Sequence, residues 1–250
     1  MLLTDLVGFL DEYLRTDEVG DSQDALNGLQ VENGGEVTRV AVAVDASAAS
    51  IASAKERGCD LLLVHHGLFW GKQRRITGRW YRRLRTLLDG DIAVYAAHLP
   101  LDLHPVVGNN AVLARELGVK VKGRFGEYEG QEIGVWGELE LKRETLTARL
   151  ADLLGGPVRL LPGGPELIQR VGVITGGGGS LIQSALDAGL DAYVTGEGAH
   201  HTYFDALEGG LNVYYGGHYA TETWGVRALA AELENRFGLP WDFLDLPTGL

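Results

Sequence analysis

The chain is poor in several things at once. It has one cysteine, Cys59, in 250 residues, so no intrachain disulfide is possible and a reducing, cytoplasmic setting is expected. Cys59 precedes the apolar run Leu61–Val64 and reads as a small buried residue rather than a nucleophile. No apolar stretch approaches the roughly 18 residues that a membrane span requires. The N-terminus lacks the basic n-region of a secretory signal. Basic residues are outnumbered, 22 against 34 acidic, for a net charge of −12. That balance argues against a broad nucleic-acid surface, which rests on Lys and Arg. One local exception runs from Lys72 through Arg74, Arg75, Arg79, Arg82, Arg83 and Arg85, and its simplest reading is a solvated loop and helix.

What is present is an ordinary globular composition with a repeated pattern. Leu3, Leu6, Val7, Leu10 and Leu14 share one face of an N-terminal amphipathic helix. Residues 40–66 then read VAVAVDASAASIASAKERGCDLLLVHH, and residues 171–197 read VGVITGGGGSLIQSALDAGLDAYVTGE. At a shift of 131 positions Val40 meets Val171, Ile51 meets Ile182, Gly58 meets Gly189 and Asp60 meets Asp191. Each copy has the texture of strand, turn, helix, strand, the signature of βαβ units in a parallel sheet. Further on, Val94–His98 resembles Val213–His218, and an acid follows each histidine by four residues, Asp102 and Glu222. Helical patterns then follow at Ala111–Leu117 and Trp224–Phe237. The expected fold class is therefore α/β, built as two similar halves by internal duplication, residues 1–125 and 126–250. Between the copies, an antiparallel strand or two is expected around Ile133–Trp136, and a helix over 145–154 that Gly155-Gly156-Pro157 stops.

Ligands in open parallel sheets bind beyond the carboxyl ends of strands. His65-His66, His98, Glu197 with His200-His201, and His218 all fall at or just past such ends. On a helix, His218 and Glu222 at i and i+4 would share a face. His98 and Asp102 are not expected to form a helical turn, because Pro100 and Pro105 interrupt the segment. The glycine tract Gly176–Gly179 lies between a strand and a helix. It reads equally as a tight connection or as a backbone cradle for a substrate phosphate.

Four blocks carry a resemblance. Asp60–Gly67, His98–Asp102 with Asn109-Asn110, Asp191–Glu197 with His200-His201, and Gly217–Glu222, together with Asn27-Gly28-Leu29-Gln30, resemble the GTP cyclohydrolase I type 2 homologue family. This family is also called the Ngg-one-interacting-factor-three-like proteins, and the likeness runs over essentially the whole chain. It implies metal ligands at His65, His66, Asp102, His218 and Glu222. Glu222 would bridge two ions, His66 and Asp102 would complete one, and His65 and His218 the other. The site would lie in the cleft between the halves. Five N and O ligands suit a pair of divalent ions such as zinc, manganese, iron, cobalt or nickel. His98, Glu197, His200 and His201 are then candidates for supporting those ligands or for proton transfer. The expected activity is metal-dependent hydrolysis of a nucleotide or another phosphate-containing small molecule. The alternative is a non-enzymatic metal-handling or adaptor protein. The resemblance further implies a homohexamer; the acidic balance argues against nucleic acid as a partner, and the lack of a long apolar run leaves no membrane partner expected.

Overall fold

A computed structural model describes residues 1–71 and 74–250; Lys72, at the head of the basic run, lies outside them. The chain forms two compact α/β units. Residues 1–107 with 225–246 make the first, and residues 108–224 with 247–250 the second.

The first unit opens with helix α1 (Leu3–Leu14), whose buried residues Leu3, Leu6, Leu10 and Leu14 recur every three or four positions. Strands β1 (Gly28–Val31) and β2 (Val40–Asp45) lead into helix α2 (Ala48–Glu56). Ser47 caps α2 and exchanges side-chain hydrogen bonds with Ser50 in a reciprocal box. Strand β3 (Leu61–His66), helix α3 (Arg79–Asp89), strand β4 (Ala93–Ala96) and the single turn α4 (Leu99–Asp102) follow. Strands β2, β3 and β4 are parallel, and β1 lies antiparallel against β4. These strands are apolar on both faces because both faces are covered. Val40, Val42, Leu61, Leu63 and Tyr95 pack on α1, while Ala41, Ala43, Leu62, Val64 and Val94 pack with Ile51, Ala54 and Leu87 from α2 and α3. Cys59 is buried in the second of these cores.

One expectation is corrected here. The segment after His98 is helical, with Pro100 in the first turn. Proline is tolerated there because first-turn N–H groups have no intrahelical acceptor to lose. Asp102 N–H still donates to the His98 carbonyl at 3.1 Å.

The second unit begins with helix α5 (Asn109–Glu116) and the antiparallel pair β5 (Lys120–Tyr128) and β6 (Gln131–Lys142). Helix α6 (Arg143–Leu154) ends on Gly155 in the left-handed region, φ 69°. Strands β7 (Arg159–Pro162) and β8 (Leu167–Val173) precede a 3-10 turn at Gly178–Leu181 and helix α7 (Ile182–Asp187). Strand β9 (Ala192–Thr195), helix α8 (Thr202–Gly209), strand β10 (Asn212–Tyr215) and the turn α9 (His218–Thr221) complete the unit. Strands β8, β9 and β10 are parallel, and β7 lies antiparallel against β10. Leu113, Leu146 and Leu150 from α5 and α6 pack on Val171, Val173, Val194 and Tyr214.

The sheets differ in size, five strands against six, but each contains three parallel strands with an antiparallel strand beside the third. Val40 pairs with Leu61 and Val171 with Ala192, the same register at the 131-residue shift. The Asp60 carboxylate accepts the N–H groups of Thr38 and Arg39. Asp191, 131 positions on, accepts those of Gln169 and Arg170. The chain then closes with helix α10 (Thr223–Phe237) and strand β11 (Trp241–Phe243). From Gly225 onward these residues belong to the first unit, where β11 adds in parallel to β2. No helix among the described residues is long and apolar enough to cross a membrane.

Candidate metal centre

In the first unit, polar groups gather at the carboxyl ends of β2, β3 and β4. His65 is fully buried. Its Nδ1–H donates to the Ala97 carbonyl at 2.9 Å, so the lone pair is on Nε2, which lies 3.6 Å from Asp102 Oδ2. His66 donates from Nδ1 to Asp45 Oδ1 at 3.0 Å, which likewise leaves Nε2 as the ligand atom. His98 joins them: ring nitrogens of His65, His66 and His98 lie within 4.8 Å of one another. This unit therefore brings His65, His66 and Asp102 together and adds His98.

His98 is framed by the loop that leads into β1. Its main-chain N–H donates to Asn27 Oδ1 at 2.7 Å, and its Nδ1 donates to Asp21 Oδ1 at 2.8 Å. Burial raises the Asp21 pKa, but hydrogen bonds from His98, Asn27 and Ser22 outweigh it and hold the group below its ordinary value. Gln30 fixes the following loop by accepting the N–H groups of Leu68 and Phe69 on one oxygen. That loop brings Trp70 edge-on to His98, with ring centroids 4.8 Å apart.

In the second unit, His218 opens α9 and Glu222 follows one turn later. His218 Nε2 lies 3.1 Å from Glu222 Oε2, and its Nδ1 lies 2.8 Å from Glu197 Oε1. Glu222 is only 3% exposed. A hydrogen bond to Glu222 is the largest influence on the His218 ring. Burial opposes it and the charges of Glu222 and Glu197 reinforce it, so the His218 pKa is pushed up to about 9. An imidazole between two carboxylates holds a proton until a cation takes the place of one.

The glycine tract lies beneath this pair. Gly176 has φ +66°, donates its N–H to Thr221 Oγ1 at 3.0 Å, and accepts on its carbonyl from the N–H groups of Gly196 and Glu197. The Gly178 carbonyl accepts from the Tyr193 hydroxyl at 2.7 Å, and a Cβ on Gly179 would come 2.5 Å from Gly198 Cα. These glycines are required by close packing around the connection. His200 and His201 are exposed. His201 takes the cap position of α8, and His200 lines, with Glu197, a cavity of about 840 Å³.

The chain matches the model of Duf34/NIF3 (NGG1p interacting factor 3) over residues 1–247. It belongs to the Duf34/NIF3 family. A relative from Deinococcus radiodurans, named GTP cyclohydrolase 1 type 2 homolog, is 47% identical over 248 residues, 98% of this chain and 94% of its own length. The relative of the same name from Escherichia coli is 42% identical, with 98% of each chain covered. Among solved structures, protein TTHA1606 from Thermus thermophilus superposes with a TM-score of 0.91 at 46% identity, covering all of both chains.

In this NIF3-family chain, His65, His66 and His98 form a cluster that could hold a metal ion, Asp102 lies 3.6 Å from His65, and His218 lies 3.1 Å from Glu222. The donor set fits a borderline divalent metal: neutral imidazoles oriented through Nδ1, with carboxylates beside them. Asp45, Asp21 and Asn27 were not among the residues expected at the site. Asp45 carried a usable signal, since it ends a parallel strand just as His65 and His66 do. Asn27 lay in a recognised block without an assigned role, and Asp21 sits in a loop with no pattern to mark it.

Proposed function

We propose that His65, His66 and Asp102 of the first unit and His218 and Glu222 of the second together hold two divalent metal ions, with Glu222 shared between them. On this reading the protein is a metal-dependent hydrolase acting on a nucleotide or a related phosphate-containing small molecule. One observation carries the proposal. His65, His66 and His218 each have Nδ1 tied to an acceptor, namely the Ala97 carbonyl, Asp45 and Glu197, so that Nε2 is presented as the ligand. Such a triad of acceptor, histidine and metal is how proteins preset imidazole ligands. The name borne by the relatives adds GTP to the substrates to be tried.

A bound pair of zinc, manganese, iron, cobalt or nickel ions would supply a water of lowered pKa and stabilise charge that develops on the substrate. The chain's own residues do the rest. Asp45 and Glu197 orient His66 and His218, and burial of His65 and Glu222 keeps water from competing for them. On this reading His98, which Asp21 holds through Nδ1, would exchange a proton with the leaving group.

The test is turnover. Protein loaded with each metal is assayed against nucleotides and phosphoesters, with His66→Ala and Glu222→Gln as controls. The proposal expects metal-dependent hydrolysis that both substitutions abolish. Tight metal binding without turnover of any substrate would reject it in favour of a metal-handling protein. We extend the proposal to a homohexameric assembly, which light scattering of the purified protein checks.

A further inference from the structure

The basic run does not behave as a plain solvated face. Six arginines fall between residues 74 and 85 in a chain of net charge −12. Among the described residues Arg85 pairs with Asp89, whereas no carboxylate lies within ion-pair distance of Arg74 or Arg75. These two exposed guanidiniums line a cavity of about 410 Å³ together with Leu26, Phe69, Trp70 and Trp80. Phe69 and Trp80 stack at 6.1 Å with 12° between their planes, and Arg74 lies 5.5 Å from the centre of the Trp80 ring. Leu26 remains 53% exposed at the edge of the cavity.

The Phe69–Gly71 wall of the cavity is tied down by hydrogen bonds. Gln30 holds the N–H groups of Leu68 and Phe69, Trp70 bridges to Ala25, and Gly71 N–H donates to the Asp24 carbonyl at 2.7 Å. Trp70 is also a wall shared with the histidine cluster, edge-on to His98 at 4.8 Å and to His66 at 6.0 Å. A ligand seated here would therefore share the Trp70 side chain with the histidine cluster.

Unpaired guanidiniums select a phosphate, to which they offer forked donors. Tryptophan faces select a flat ring, and base stacking on aromatic side chains tolerates many ring identities. A space of this size falls within the range for small-molecule sites and holds one nucleotide. From this combination we infer that the cavity binds a mononucleotide, its base against Trp70 and Trp80 and its phosphate on Arg74 and Arg75. That this nucleotide is the substrate rests on the hydrolase reading; that it binds does not. A longer polyanion is disfavoured by the acidic balance of the rest of the chain.

The experiment is isothermal titration of the full-length protein as purified, with GMP, guanosine, inorganic phosphate and a single-stranded hexanucleotide. It is run on wild type, Arg74→Ala/Arg75→Ala and Trp80→Leu, with metal content measured for each. The expected result is GMP binding at least tenfold tighter than guanosine or phosphate, and at least tenfold weaker in the arginine double variant at unchanged metal content. Trp80→Leu should weaken guanosine and GMP by similar factors; since Trp80 also packs on Phe69, circular dichroism checks its fold, and the exposed arginines carry the decision if it fails. Equal GMP binding by wild type and the double variant overturns the inference, as does a hexanucleotide that binds more tightly than GMP. Failure of the hydrolase reading looks different: GMP binds as described and nothing turns over. Failure of this inference alone leaves hydrolysis intact and indifferent to Arg74 and Arg75.

Discussion

Gly176 leaves the space that Glu222 fills. A Cβ built on Gly176 would stand 2.0 Å from Glu222 Oε1, 2.9 Å from its carboxyl carbon and 3.3 Å from His218 Nε2. Gly176 also has φ +66°, which an L side chain adopts only with strain of roughly 1–3 kcal/mol. Gly176→Ala is therefore expected to displace the carboxylate and weaken metal binding at least tenfold. At Gly177 the nearest atom to a built Cβ is 3.7 Å away, so Gly177→Ala should change little. Competition against a chromophoric chelator measures both, and equal affinities in the two variants would contradict the geometry.

Asp45 should matter through His66. It holds the His66 ring at 3.0 Å and is itself partly exposed, so Asp45→Asn is expected to leave the fold intact. Removing such an orienting partner commonly lowers metal affinity about 10–100-fold. The check is metal stoichiometry and affinity beside an unchanged thermal unfolding curve.

Proton release should accompany metal binding. The His218 pKa in the metal-free protein is pushed up to about 9, chiefly by the Glu222 hydrogen bond. A metal ligand must be a neutral imidazole. Between the ordinary histidine value and about 9, the ion therefore displaces a proton, and apparent affinity rises with pH before levelling above about 9. The stability that the protonated ring adds to the metal-free fold runs the other way. It is fully present below the unfolded histidine pKa and is lost as pH rises through about 9. Chelator competition and chemical denaturation over pH 6 to 10 read the two trends, and a pH-independent affinity would count against His218 as a ligand.

Asp60 and Asp191 should be equivalent in cost. Each carboxylate accepts two consecutive main-chain N–H groups at the start of the preceding strand, and Asp60 takes the Thr38 hydroxyl as well at 2.6 Å. Hydrogen bonds to a charged group contribute roughly 1.5–3 kcal/mol net, less where the group is partly exposed. Asp60→Ala and Asp191→Ala are each expected to lower stability by about 2 kcal/mol in urea denaturation, and a variant of either with no loss would refute the shared role.

Much of this was visible in the sequence because it is local or periodic. The 131-residue shift places βαβ units in both sheets, since apolar runs and their spacing follow from burial on both faces. His218 and Glu222 at helical spacing read directly as neighbours. What was not visible depends on long-range contacts. Asp21 reaches His98 across 77 positions, and Gln30 holds a loop 38 positions away; nothing in either residue's own neighbourhood specifies those partners. Pro100 misled for a different reason, because its effect depends on whether it stands in the first turn or deeper in a helix.

The return of residues 225–246 to the first unit has a consequence for biosynthesis. When the ribosome has delivered residues 1–107, β2 has its neighbour β3 on one side, while β11, which pairs with its other side, has not been made. Val226, Leu229, Ala230 and Leu233, which share a core with α1, are also still to come. The first unit must wait with an open strand edge and an uncovered apolar face until the whole of the second has been translated. The nascent chain's most aggregation-prone interval is therefore predicted to be the synthesis of residues 108–224, and chaperone capture should peak there.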